Sequence, residues 1–190
     1  MIIIGITGTL GAGKGTVVDY LVKKHGFKHF SVSGFLKEEI IKRDVEVDRT
    51  ALVNLGNELR KKYGSDYIVK TLLHKAIKEK RNCVIESLRN TKEIEVLKKF
   101  GNFYLFSIDA DPKLRYKRIQ KRGGEKDKVT YRQFLENEKR EMTSDDPSKQ
   151  NLSECIRLAD FRFTNNNTVR NLYRKVGKVL NEIQKKKIGS

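Results

Sequence analysis

Two kinds of apolar pattern alternate along the chain. Short runs without helical spacing, the first of them almost wholly apolar, fall at about 2–7, 28–32, 82–86, 103–108 and 161–164, each read as a strand. The first, Ile2-Ile3-Ile4-Gly5-Ile6, has no polar alternation, the pattern of a parallel strand covered on both faces. Between the runs, apolar positions recur at helical spacing. Val17, Val18, Leu21 and Val22 mark a helix over 14–25, with Gly26 as its terminator. A short helix over 36–42 follows, and Leu52, Leu55 and Leu59 mark one within 44–66. Ser65 is placed as the cap of the next helix, with Asp66 in its first turn, running to about 80. Asn90-Thr91-Lys92-Glu93 has capping-box spacing for a helix ending near 101. Asp111-Pro112 opens another as N-cap and N1, and Gly123-Gly124 closes it. Thr130 caps a helix to about 142, the polar stretch 143–150 receives no element, and a helix over 168–185 turns Leu172, Val176 and Ile183 inward.

Strands alternating with helices imply βαβ units, hence a parallel sheet with right-handed crossovers and helices on both faces. Ligands of such sheets gather at the carboxyl ends of the strands. The segments at Gly8, Ser33-Gly34, Glu86 with Arg89, and Asp109 to Asp111 occupy those ends. The 190 residues suit one domain, with no internal repeat and no linker.

Charge and cysteine content narrow the setting. The net charge is +17, from 41 Lys and Arg against 24 Asp and Glu, and it favours polyanionic partners of any kind. Much of it reads as solvated helix face, including Lys185-Lys186-Lys187. Cys83 and Cys155 lie within apolar patterns without CxxC spacing and read as buried free thiols in a reducing cytoplasm. No apolar stretch is long enough for a membrane helix. The three histidines show no metal-ligand spacing.

The densest chemistry lies behind the first strand, in Gly8-Thr9-Leu10-Gly11-Ala12-Gly13-Lys14-Gly15-Thr16. Glycines free the backbone for close approach, and its N–H groups with the N-terminus of the following helix form a nest for anionic oxygens. Lys14 supplies a mobile charge for the outer phosphates, and Thr16 a hydroxyl for phosphate or Mg²⁺. Arg115, Arg118 and Arg122 share one helix face by their spacing. Arg49 and Arg60 flank the helical pattern of 44–66; each reads as a phosphate ligand or as an ordinary charge. Arg89 reads as a phosphate ligand or as a partner of Glu93.

The loop has Gly15 where a Ser or Thr usually follows the lysine, and this variant resembles the P-loop of adenylate kinase and its nucleoside monophosphate kinase relatives. Ser33-Gly34 resembles that family's Thr-Gly turn, and Ile85-Glu86-Ser87-Leu88-Arg89 its Asp-Gly-x-x-Arg segment. Arg118 and Arg122 resemble its lid-base arginine pair. Leu158-Ala159-Asp160-Phe161 with Asn165 is similar to a signature of dephospho-CoA kinases. Nearly the whole chain also resembles an adenylate-kinase-related group, common in archaea, through its Leu-Gly-x-x-Leu-Arg and Ile-Asp/Glu-x-x-Arg segments. The resemblance departs at Phe35, where the family has an acid, and at Glu86, where it has Asp.

The resemblance implies a three-layer α/β P-loop NTPase fold, a five-stranded parallel sheet with a small helical lid over about 122–146 and an acceptor-binding helical segment over about 34–80. It implies an ATP-dependent phosphotransferase acting on a nucleoside monophosphate or similar nucleotide, with ATP and Mg²⁺ as cofactors, as a monomer or homodimer. Gly8, Gly11, Ala12, Gly13, Lys14, Gly15, Thr16 and Asn165 then serve the donor; Ser33, Gly34, Arg60, Glu86 and Arg89 serve the acceptor. Lys14, Arg89, Arg118 and Arg122 act on the transferring phosphoryl group, and Thr16 and Glu86 on the metal. Dephospho-CoA kinase is the second reading. An ATP-dependent RNA- or ribosome-associated factor, motivated by the charge, is the third.

Overall fold

In the computed structural model, which describes residues 1–124, 129–146 and 149–188, the strand without polar alternation is the central one. β1 (Ile3–Gly8) is buried at every position and pairs with β3 (Cys83–Glu86) on one side and β4 (Phe103–Asp109) on the other. β2 (Lys28–Ser31) and β5 (Phe161–Thr164) flank them, giving the all-parallel order β2-β3-β1-β4-β5. The charged residues of the two edge strands, Lys28 and Arg162, sit where only one neighbouring strand is paired.

The helices are α1 (Lys14–His25), α2 (Val32–Lys42), α3 (Arg49–Tyr63), α4 (Tyr67–Lys78), α5 (Thr91–Lys98), α6 (Pro112–Arg122), α7 (Tyr131–Met142), α8 (Leu152–Arg157) and α9 (Val169–Ile188). The two-residue period of the strands divides the core. Ile2, Ile4, Ile6, Phe106 and Ile108 pack beneath α1 and α9 through Val17, Leu21, Leu172, Val176 and Leu180. Ile3, Ile85 and Leu105 face the other way, onto α2, α3, α4, α5 and α8. Burial of each such side chain stabilises by about 1.5–3 kcal/mol. α1 and α9 touch closely, with Tyr20 stacked on Tyr173 at 4.6 Å between ring centres. A Cβ on Gly177 would lie 2.7 Å from the Tyr20 hydroxyl.

Caps built from neighbouring residues stand where their spacing places them. Asn90 with Glu93 and Thr130 with Gln133 form capping boxes, and Asp111 caps α6 ahead of Pro112. Three expectations change. Ser33 and Gly34 are not a turn but the first turn of α2, because the Ser31 side chain takes the N-cap position and accepts from the Gly34 amide at 3.1 Å. Asp66 rather than Ser65 is the N-cap of α4, without a side-chain cap bond. The segment after the polar stretch, which received no element, holds a helix, α8, capped by Asn151 and anchored by buried Leu152 and Cys155. The charged segment 125–128, expected as a loop within the lid, and the end at 189–190 lie outside the described residues. Among the described residues no helix is long and apolar enough to cross a membrane.

Candidate active site

The carboxyl ends of β1, β2 and β3 open on a cleft of about 620 Å³, which α3 and α6 also border. Its wall includes Gly11, Gly13, Lys14, Gly15 and Thr16 of the loop, Ser33, Leu36, Arg49, Leu52 and Arg60 from the α2–α3 side, Glu86, Ser87 and Arg89 after β3, and Arg118 and Arg122 of α6. The geometry thus draws the predicted lysine and five of the six candidate arginines, all but Arg115, to one space. Gly8, Ala12, Gly34 and Asn165 are outside its lining.

The loop is braced from behind. Gly13 has φ 102°, a left-handed conformation, and a Cβ there would lie 2.4 Å from the Asn165 amide nitrogen. That nitrogen donates to the Ala12 carbonyl at 2.8 Å, so Asn165, expected to hold the donor, is engaged in holding the loop. Thr9 donates its hydroxyl to Asp109 at the carboxyl end of β4. Lys14 folds back over the turn, donating to the carbonyls of Gly8 at 2.7 Å and Thr9 at 2.8 Å. Withdrawal of its amine from water, with the nearby positive charges of Arg89 and Arg49, pushes its pKa from 10.5 down to about 7 against the opposing pull of Glu86 and Glu141. A phosphate at this amine would reverse that shift.

Glu86 ends β3 beside the loop. It accepts from the Ser31 hydroxyl at 2.9 Å and lies 3.4 Å from His29 Nε2. Burial pushes its carboxyl up, but the hydrogen bonds of His29 and Ser31 and the charges of His29 and Lys14 outweigh it, so it stays below the usual carboxylate range. Ser87 adopts φ 66°, a left-handed backbone rare for a residue with a side chain and costing on the order of 1–3 kcal/mol. It brings the Ser87 hydroxyl to 3.2 Å from that of Ser33.

The arginines fall into three situations. Arg115 is buried and belongs to the framework: it donates to the carbonyls of Ala110 and Leu10, clasps Glu138 of α7 and lies over the Phe134 ring. The shared face with Arg118 and Arg122 exists, but only the latter two reach the cleft. Arg118 donates through Nη2 to the Asn165 carbonyl at 2.9 Å, and its Nη1 is buried with no partner. Arg60 is 3% exposed and gives Nε and Nη2 to Glu93 Oε1 at 3.1 and 2.8 Å, which leaves Nη1 buried without a partner toward the cleft. Glu93 therefore pairs with Arg60, and Arg89 instead meets Glu141 of α7 and Gln150. Arg49 joins the same Glu141 at 2.6 Å, and desolvation lowers its pKa.

With this geometry in view, comparison with known proteins is informative. The family model described as an AAA domain matches residues 4–144. A UPF0200 protein from Sulfurisphaera tokodaii is 31% identical over 181 residues, spanning 95% of this chain and 97% of that one. The chain belongs to the AAA domain family and to the UPF0200 family. A second UPF0200 protein, from Methanocaldococcus jannaschii, is 28% identical and covers 96% of this chain and 91% of its own. Among solved structures, shikimate kinase from Aquifex aeolicus superposes over the full length of both chains with a TM-score of 0.58 at 12% identity. A gluconokinase from Sinorhizobium meliloti superposes with a TM-score of 0.62 at 10% identity, covering 100% of this chain and 97% of its own. The fold is therefore the P-loop kinase fold.

Several groups around the cleft carry no signature along the chain. Glu93 is visible only as a capping-box residue, and its role as counter-ion of Arg60 depends on α3 packing over α5. Glu141 lies in a charged helix with no periodic mark of its burial, and Gln150 in the polar stretch before α8. Among the described residues, no group of three acidic, histidine or cysteine side chains forms a metal cage.

Proposed function

We propose that this protein is an ATP-dependent phosphotransferase that moves the γ-phosphoryl group of ATP to a (deoxy)nucleoside monophosphate or a similar nucleotide. One observation carries the reading: the Lys14 loop shares a single cleft with Arg49 from α3, Arg89 from the segment after β3, and Arg118 and Arg122 from α6. Cations arriving from three directions around a phosphate nest suit a reaction in which both reactants are anionic. The residues also fit ATP with Mg²⁺. Arg118 holds a buried donor without a partner, the loop is pre-shaped by Gly13, and the described residues, which form no protein cage, suit a magnesium ion bound by one or two side chains and by phosphate oxygens.

ATP–Mg²⁺, when bound, supplies the phosphoryl group and a leaving diphosphate. Lys14 and the loop amides would hold the outer phosphates, and Thr16, directly or through water, and Glu86, as an outer-sphere carboxylate, would hold the metal ion. Arg49 and Arg89 hold the acceptor anion and set its oxygen in line with the phosphorus. As the acceptor P–O bond forms and the bridging bond breaks, Arg118 and Arg122 neutralise charge spread over the transferring oxygens, the main protein contribution to such reactions. Leu36, Leu52 and Val53 give the acceptor's uncharged part an apolar wall. The buried free thiols of Cys83 and Cys155 suit a reducing cytoplasm.

A hydroxyl acceptor, as in dephospho-CoA, is the second reading. Glu86, ionised and lining the cleft, is positioned as the base such an acceptor needs. Purified protein with ATP–Mg²⁺, screened against every ribo- and deoxyribonucleoside monophosphate and dephospho-CoA, separates the two. Diphosphate formation supports the first reading and CoA formation the second; product from neither sinks both.

A further inference from the structure

The acceptor side of the cleft already holds an anion of the protein's own. Glu141 is 2% exposed, with one carboxylate oxygen on Arg49 Nη2 at 2.6 Å and the other on Arg89 Nη1. Two guanidinium groups from α3 and from the segment after β3 therefore converge on a carboxylate delivered by α7. The fit is incomplete. Arg49 Nε is buried with no partner, and the Glu141 oxygen near Arg49 makes an ionic contact without a well-directed hydrogen bond. A phosphate or a comparable anion has more oxygens, arranged tetrahedrally, and would satisfy donors that one carboxylate leaves over. It would also meet strong repulsion if the carboxylate stayed, because a second anion beside Glu141 in a desolvated pocket is unfavourable.

α7 is held in a way that permits exchange. Its buried side chains are Phe134, near the N-terminal end, and Glu141, near the C-terminal end. Phe134 packs among Tyr116, Tyr131 and Arg115, and Glu138 clasps Arg115, so the helix is fixed to α6 as far as Glu138. Beyond Glu138, the buried side chain of the last turn is Glu141, whose carboxylate meets Arg49 and Arg89.

We infer that Glu141 is the internal counter-anion of the acceptor site: it occupies the anion position between Arg49 and Arg89, and an incoming acceptor must carry an anionic group able to displace it. This rests on the phosphotransfer reading for what the site accepts, but not for whether an anion exchanges with Glu141. Glu141 thereby determines specificity. A neutral acceptor cannot break two buried ion pairs, whereas an anionic one replaces them and frees the end of α7.

The test uses inorganic phosphate and reads no turnover, so its failure leaves phosphotransfer to be judged by the acceptor screen. Phosphate binding is measured by equilibrium dialysis for the wild-type chain, Glu141→Gln and the double variant Glu141→Gln/Arg89→Gln. The expected result is binding at least tenfold tighter in Glu141→Gln, with the gain abolished in the double variant. A merely structural Glu141 would give unchanged or weaker binding, which overturns the inference; so does a gain that survives loss of Arg89, since the phosphate would then sit elsewhere. A second arm needs no variant. Saturating phosphate added to wild-type protein should speed amide exchange over 139–142 while α5 stays protected, and unaltered exchange over 139–142 refutes displacement.

Discussion

Raising the pH above neutrality is expected to weaken nucleotide binding, through Lys14. With its pKa at about 7 in the free protein, the amine is about one-tenth charged at pH 8. Phosphate oxygens at the amine favour the ammonium form and move its pKa back toward the ordinary 10.5. Binding at pH 8 therefore takes up about 0.9 proton, against about 0.1 at pH 6, and the affinity falls about eightfold between pH 7.5 and 8.5. Calorimetry of ATP binding in two buffers of different ionisation enthalpy measures that uptake directly. Lys14→Arg serves as the reference, because its guanidinium stays charged throughout and adds no proton. Equal uptake by wild type and Lys14→Arg would assign the protons to the nucleotide and refute the reasoning, as would a flat affinity from pH 7 to 9. The same shift has a stability consequence of opposite sign. The unfolded chain binds more protons at this lysine than the folded one between pH 7 and 10.5, so the Lys14 contribution to stability rises with pH across that window.

Three further outcomes follow from particular contacts. Glu93→Gln keeps the capping shape but leaves Arg60 as a buried unpaired cation, so urea unfolding should show a loss of about 3–5 kcal/mol, and Arg60→Met/Glu93→Leu should recover much of it. A loss under 1 kcal/mol would show that the pair is not shielded from water. Arg118→Gln removes the cleft-facing donor without disturbing the core. It should lower kcat on the order of 10³-fold in the coupled kinase assay with the acceptor KM little changed. Gly15→Ala meets nothing within 4 Å and lies in the first turn of α1, so the thermal midpoint should hold or rise, by up to about 1 kcal/mol of stability. A clear drop would mean that the loop needs glycine there for its own conformation.

What could be read along the chain was what short-range chemistry decides. β1 and its glycine loop were legible because an apolar run without alternation has only one comfortable place, and because left-handed turns at Gly11 and Gly13 need glycine. The caps at Asn90, Asp111 and Thr130 involve partners at most three residues away, so spacing sufficed. Ser33-Gly34 went astray because two serines compete for the cap and only packing of Val32 and Leu36 against the sheet decides for Ser31. The pairings of Arg60 with Glu93 and of Arg49 and Arg89 with Glu141 were illegible. Each joins residues 33 to 92 positions apart, and a charged side chain bears no mark of its own burial.

The packing of α9 on α1 also orders the assembly of the chain in time. The core on the α2–α5 face draws its buried residues from positions up to Cys155, so a chain made from its N-terminus has that layer's residues at hand before α9 exists. The opposite core, which supports the phosphate loop, waits for Leu172, Val176, Leu180 and Ile183. At a synthesis rate of about 5–20 residues per second, Ile4, Ile6, Val17 and Leu21 stay without their cover for several seconds after β4 is complete. The helix that covers the core beneath the Gly8–Thr16 loop is thus the last to arrive, and a nascent chain has the residues of its α2–α5 face before those that complete the other.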